Sequence, residues 1–226
     1  MSDEVDILPG YTFTPSPNLS SRGGRPAEVI VFHYTAGGSG HGTTRWLCNP
    51  VSRRSAHFVI SRTGLVWQLV PLSKKAWHAG YSEAIMPSTG EMESNANRFT
   101  IGVEFANHGL LEHHSDGYFY YYIGSSRYLY RRDAQPTRAK LVYDVGYSIF
   151  GYWEPYRTAQ IVAAARLIED IENACCRRLQ IVGHEDIAMP MGRKSDPGPL
   201  FPWDQFNRRN SISRTHSHVS DIPVSS

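Results

Sequence analysis

Residues 158–184 read TAQIVAAARLIEDIENACCRRLQIVGH, and this stretch decides the fold. Ile161, Ala164, Ala165, Ile168 and Ile171 recur at helical spacing, so residues 158–179 are expected to form an amphipathic helix. LQIVG at 179–183 then reads as a short buried strand, and His184 follows directly on its end. A helix that feeds a buried strand needs a sheet to receive both. EVIVFHY at 28–34 is an apolar, β-branched run of the kind a buried strand requires. HFVISRTGLVWQLV at 57–70 is a hairpin signal, with Gly64 free to take a positive φ at the turn. RFTIGVEFA at 98–106 gives another strand. The expected class is α/β: a mixed central β-sheet flanked by helices.

At 226 residues the chain is expected to form one domain with modest extensions. Residues 1–27, rich in Pro, Ser, Gly and Arg, read as an irregular arm, and TAGGSGHG after the first strand reads as a glycine-rich loop. Residues 28–204 hold the domain, 107–155 are its least regular part, and the polar tail 205–226 is expected to fray. A net charge of +2 falls short of the basic stripe that nucleic-acid modules carry, so no nucleic-acid partner is expected. No run is long and apolar enough to span a bilayer, and no membrane partner is expected. The acidic start MSDEVDILPG lacks the apolar core of a secretory leader. The expected location is the cytoplasm, or outside it by a route the chain does not encode. Cys48, Cys175 and Cys176 form no C-x-x-C pair and read as free thiols.

Two histidines stand at strand ends, His33 on the first and His184 on the last. Strands distant in sequence can be neighbours in one sheet, which brings both histidines to one sheet edge. Asp196 follows in the loop RKSDPGP, where Pro197 and Pro199 stiffen the chain. A catalytic zinc site takes three protein ligands at about 2.0–2.2 Å and leaves a position open. Spacing alone leaves two readings: a metal centre, or a structural His beside a strand and an Asp in a turn. No compact zinc motif such as H-E-x-x-H is present.

The blocks VIVFHYTAG, SAHFVISRTGLVWQLVPLSKKAWHAG, NRFTIGVEFAN and VGHEDIAMPMGRKSDPGPLFPW occur in one order. In that order, from SPN at 16–18 to FPW at 201–203, the chain resembles the zinc-dependent N-acetylmuramoyl-L-alanine amidases. That family includes phage amidases, muropeptide-recycling amidases and peptidoglycan recognition proteins. The resemblance implies Zn2+ held by His33, His184 and Asp196. It implies Glu104 as the acid–base group and Lys194 as the residue that stabilises the oxyanion. It also implies that Trp77 and His78 of WHAG wall the substrate groove with His57 nearby, and that Arg53, Asn97 and Arg193 lie near a muropeptide. The reaction implied is hydrolysis of the amide between the lactyl group of N-acetylmuramic acid and L-alanine, in peptidoglycan or its fragments. A recycling role in the cytosol and an endolysin-like lytic role both remain open, as does the oligomeric state. The rival reading is a peptidoglycan-binding module on the same fold that does not cut.

The chain departs from the compact family pattern after FAN, where 107–155 read as an insertion, and DIAMPMGRK is slightly longer than the usual spacing. A loop absorbs such a difference at little cost. His108, His113 and His114 are expected in a solvated loop. The Tyr/Arg segment 118–132 is expected to pack a β-rich insertion or to stack on sugar rings, ahead of a nucleic-acid role.

Overall fold

The computed structural model describes residues 6–131, 135–206 and 215–219. In chain order, β1 (Thr12–Phe13) and β2 (Leu19–Ser21) precede β3 (Val29–Tyr34), α1 (Gly40–Leu47), β4 (Phe58–Ile60) and β5 (Val66–Gln68). Next come β6 (Lys74–Ala76), the pair β7 (Glu83–Ile85) and β8 (Met92–Ser94), and β9 (Thr100–Phe105). The tyrosine-rich stretch holds β10 (Leu110–His113), β11 (Phe119–Ile123), β12 (Ser126–Leu129), β13 (Thr137–Tyr143) and β14 (Ser148–Trp153). The order ends with α2 (Thr158–Ala174), β15 (Gln180–Gly183), the single turn α3 (His184–Ile187) and β16 (Thr215–Val219).

The central sheet runs β1-β5-β4-β9-β3-β15. It is mixed, as expected: β4, β9, β3 and β15 are parallel, and β5 turns back antiparallel to β4. The parallel strands are apolar along their length because both faces are covered. On one face α2 lays Ile161, Ala164, Leu167, Ile168 and Ile171 against Ile30, Phe32, Ile101, Val103 and Phe105. Burying the four large side chains of that stripe is worth roughly 6–12 kcal/mol before the conformational cost. On the other face Val29, Val31 and Val182 pack with Ala79, Phe99 and Ile187. Strand alternation sends His33 and Glu104 to this second face, directly paired across β3 and β9.

The helix differs from expectation at two points. Ala165 is exposed and Leu167 fills the core instead, since the buried stripe drifts by one position over two turns. The helix also stops at Ala174: Cys175 caps it, and Cys176 turns left-handed at φ +50°. The Glu172 carboxylate accepts from the Leu179 amide at 2.9 Å and secures that turn. The glycine-rich stretch is not all loop, because α1 begins within it. Ser39 caps α1, its Oγ accepting from the Gly42 amide at 3.1 Å.

The N-terminal arm is woven into the domain. The buried Asn18 amide donates to Leu47 O, Asn49 O and Arg54 O, and Arg22 is also buried. Residues 107–155 form much of a second, antiparallel sheet ordered β12-β11-β10-β14-β13-β16. Its inner face buries Ala139, Leu141, Tyr143 and Trp153. Of the tail expected to fray, residues 215–219 pair antiparallel with β13, and 207–214 and 220–226 lie outside the described residues. All three cysteines are free thiols. Among the described residues, no helix is long and apolar enough to cross a membrane.

Candidate metal centre and its cleft

Parallel pairing of β15 with β3 sets Gly183 beside Phe32, so His184 and His33 emerge side by side at the carboxyl ends of neighbouring strands. Open parallel sheets bind their ligands at these ends. Asp196 returns from the following loop to complete the group. His33 Nδ1 lies 3.0 Å from His184 Nδ1, and each lies 2.9 Å from Asp196 Oδ2. All three residues are buried. This group can hold a metal ion.

The outer partners fix which nitrogen faces inward. His184 Nε2 donates to the Ala79 carbonyl at 3.0 Å, which leaves the Nδ1 lone pair directed at the centre. His33 Nε2 stands 3.0 Å from His78 Nδ1, and His78 Nε2 stands 3.0 Å from Thr100 Oγ1. The assignment that satisfies this relay has His33 and His78 donating outward through Nε2, again leaving Nδ1 of His33 as a lone pair. Burial, then the neighbouring His184, push His33 down to about 4, so its imidazole is neutral. Burial alone would raise Asp196, but His184 and His33 outweigh it and hold the carboxyl far below the usual range. Neutral imidazoles and an ionised carboxylate are the forms that ligate metals. Two lone pairs and a carboxylate oxygen at such separations repel one another unless a cation lies among them. The donor set therefore fits a divalent metal, and two nitrogens with one oxygen suit zinc.

Glu104 lies beside this group. Its Oε2 is buried without a hydrogen-bond partner among the described residues. Burial first, and then the charge of Asp196, raise its carboxyl to about 8, against the opposing pull of Lys194 and Arg54. The loop that carries Lys194 and Asp196 is held at three successive points by phenols. Tyr143 donates to Lys194 O at 2.6 Å, Tyr34 pairs with Ser195 Oγ at 2.7 Å, and Tyr156 donates to Pro197 O at 2.8 Å. Gly198 sits at φ +84° against the Trp153 ring, which a Cβ would meet at 3.0 Å.

The centre opens into a cleft of about 900 Å3. Arg53, Trp77, His78, Asn97, Glu104, Arg193 and Lys194 all line it. Several of them are already engaged. Asn97 Oδ1 accepts from the His78 and Ala79 amides at 3.1 and 2.9 Å, holding the WHAG turn in place. Arg193 donates to the carbonyls of Met189 and Tyr81 at 2.7 and 2.6 Å, clamping its own loop to that turn. Trp77 Nε1 donates to Ser20 Oγ at 3.0 Å and leaves one side of the indole to the cleft.

His57 does not belong to the cleft. It is 0% exposed, its Nδ1 accepts from the Gly102 amide at 3.0 Å, and its Nε2 donates to Lys74 O at 3.0 Å. Burial and Arg22 keep it neutral. Its role is to brace the sheet beneath His78, whose ring lies so close to Gly102 that a Cβ there would come within 2.5 Å.

His108 is also not solvated. It is buried, and its amide and Nδ1 reach the Glu154 carboxylate at 2.6 and 2.8 Å. Arg62 binds that same carboxylate and the Gly38 carbonyl on the cleft wall. His113 and His114 lie on the second sheet near Phe119 and Tyr120, away from the metal group. Sequence reasoning missed Trp46, Arg54 and the hairpin tip Tyr122–Gly124 as cleft residues. Arg54 adjoins Arg53 and was within reach, whereas the tip depends on how the second sheet docks.

Fold and site define an α/β protein with a His-His-Asp group able to hold a metal at the carboxyl edge of its sheet, flanked by a half-buried glutamate and a lysine. Residues 23–199 match the family described as N-acetylmuramoyl-L-alanine amidase, and the chain belongs to that family. It is 28% identical over 187 residues to the N-acetylmuramoyl-L-alanine amidase AmiD of Escherichia coli K12, covering 79% of this chain and 51% of AmiD. It is 29% identical over 154 residues to the 1,6-anhydro-N-acetylmuramyl-L-alanine amidase AmpD of the same organism, covering 68% of this chain and 57% of AmpD. The chain thus spans about half the length of these curated relatives. The selenomethionine AmpD structure superposes with a TM-score of 0.56 at 22% identity, over 91% of this chain and 97% of that one. An E. coli AmiD structure holding anhydro-N-acetylmuramic acid-L-Ala-D-γ-Glu-L-Lys gives 0.53 at 26% identity, over 85% of this chain and 59% of that one.

Proposed function

We propose that this protein is a zinc amidase that hydrolyses the amide between the lactyl group of N-acetylmuramic acid and L-alanine. The substrate is peptidoglycan or a muropeptide released from it. The observation that carries this reading is the convergence of His33, His184 and Asp196 within 3.0 Å of one another, beside the unpartnered Oε2 of Glu104. A zinc ion bound there supplies Lewis acidity towards the scissile carbonyl and acidifies water. Glu104 takes a proton from the attacking water at Oε2 and passes it to the leaving L-alanine nitrogen. Its carboxyl, raised to about 8 by burial and Asp196, would be drawn down towards neutral by a cation held beside it, where both transfers are open to it. Lys194 projects positive charge into the cleft, where oxyanion charge develops. Asn97 and Arg193 keep the 77–80 turn in position, so that Trp77 and His78 present a fixed wall to the substrate.

A binding module that does not cut needs neither the full donor set nor an orphaned buried carboxyl, and both are present. The test is product mass spectrometry with zinc-loaded protein and N-acetylmuramoyl-tripeptide, with Asp196→Ala in parallel. Free tripeptide starting at L-alanine is expected from the wild type alone. Intact substrate, with purified sacculi also uncut, would overturn the amidase reading in favour of the binding module.

A further inference from the structure

One part of the cleft rim serves none of the roles above. It consists of Trp46 near the end of α1 and the tip of the β11–β12 hairpin, Tyr122 to Gly124. Trp46 is 51% exposed, Ile123 56% and Tyr122 44%. Large apolar side chains left exposed along the walls of a cleft mark contact with a ligand. The hairpin is also built to hold its shape. Four cross-strand pairs run from Tyr120↔Leu129 to Ile123↔Ser126, and Gly124 takes the first turn position at φ +60°. Tyr121 stacks on Tyr128 at 5.5 Å, the Arg127 guanidinium covers the Tyr120 ring at 4.6 Å, and the Tyr122 hydroxyl donates to Glu112. A wall ordered beforehand loses little entropy when a ligand arrives.

The chemistry of the rim is divided. Arg53, Arg54, Arg193 and Lys194 line the same cleft and draw the carboxylates of a peptide. Trp46, Tyr122 and Ile123 carry no charge and offer an indole, a phenol ring and a branched alkyl group. Such a surface matches the C–H face of a neutral pyranose ring and is a poor match for an anionic stem peptide. We propose that Trp46, Tyr122 and Ile123 form a sugar subsite beside the metal centre, which takes the pyranose linked to the reacting unit. The subsite makes glycan length beyond one sugar a determinant of recognition, and it rests on the amidase reading.

The test compares zinc-loaded full-length protein on N-acetylmuramoyl-tripeptide and on N-acetylglucosaminyl-N-acetylmuramoyl-tripeptide. The wild type is expected to show a KM about tenfold lower for the disaccharide, equivalent to about 1.4 kcal/mol. In Trp46→Ala with Ile123→Ser the two KM values are expected to converge, with kcat on the single-sugar substrate unchanged. Leu65→Ser, another exposed apolar site, is expected to keep the wild-type ratio. Equal KM values in the wild type, or an equal change on both substrates in the double variant, would overturn the subsite. Calorimetry on zinc-loaded Glu104→Gln measures the same ratio by binding. If neither compound is cut, the amidase reading fails, while the binding ratio still decides the subsite: a tenfold gap upholds it and no gap overturns it.

Discussion

His33 and His184 face the centre because their Nε2 atoms are held outside it, and Asp196 because its loop is tied down at Lys194, Ser195 and Pro197. Removing one donor removes the charge balance of all three. Asp196→Ala is expected to lose the metal, read as zinc per protein by elemental mass spectrometry after dialysis. Glu104→Gln separates chemistry from binding: zinc content should stay at the wild-type level while kcat falls about 10²–10⁴-fold. Zinc loss in that variant would move Glu104 into the ligand set. Strand ends drew notice to His33 and His184 and prolines to the Asp196 loop, but spacing left their role open; the family resemblance alone singled out the set, and Glu104 with it. His57 was misplaced for a physical reason. Strand alternation does put it on the site face, but Arg22 and the Lys74 carbonyl close over it from segments whose packing one strand does not reveal.

Among the elements, the metal loop depends on the second sheet. Tyr143 on β13 and Trp153 on β14 sit beneath residues 194–198. Tyr143→Phe removes one hydrogen bond to the Lys194 carbonyl, so a loss of about 1 kcal/mol in stability is expected. If the tyrosine positions Lys194, kcat falls in that variant more than KM changes, measured on the muropeptide with zinc content held equal. Gly102→Ala is expected to be worse tolerated, costing about 1–3 kcal/mol in urea denaturation, because the new methyl meets the His78 ring. α1 escaped sequence reading because Gly40 and Gly42 lower its helix propensity, although Ser39 three residues before Gly42 offered a cap signal. The insertion looked irregular because its aromatic residues run together at 118–122, without the polar–apolar alternation that marks a half-buried strand. Its turns were nevertheless written in Asp116-Gly117 and Gly124-Ser125.

At the scale of the molecule, the two sheets are joined by a buried charge cluster. Glu154, at the start of the segment leading to α2, holds His108 of the insertion and Arg62 of the β4–β5 turn. Burial would raise its carboxyl, but the hydrogen bonds from His108 and Arg62 prevail and set it at about 2. The folded value lies below the unfolded one. The stabilisation is therefore complete above about pH 4.5 and is lost as pH falls from there towards 2, with a magnitude on the order of 3 kcal/mol. Urea midpoints measured from pH 7 to pH 2.5 should fall through that window. Glu154→Gln should start lower at pH 7 and fall less steeply. An equally steep fall would place the acid sensitivity in other carboxylates.

The tethering of the 194–198 loop by phenols has a further consequence for anyone who wants a smaller protein. The tyrosine-rich segment has the look of an ornament that could be trimmed to recover a minimal core. Trimming it would leave both histidines on an intact sheet but take Tyr143 and Trp153 from beneath the Asp196 loop, which would then hang on Tyr34 and Tyr156 alone among its three phenols. A miniature would keep its architecture and hold metal less firmly, unless a new anchor for the Lys194 carbonyl were grafted in the same step.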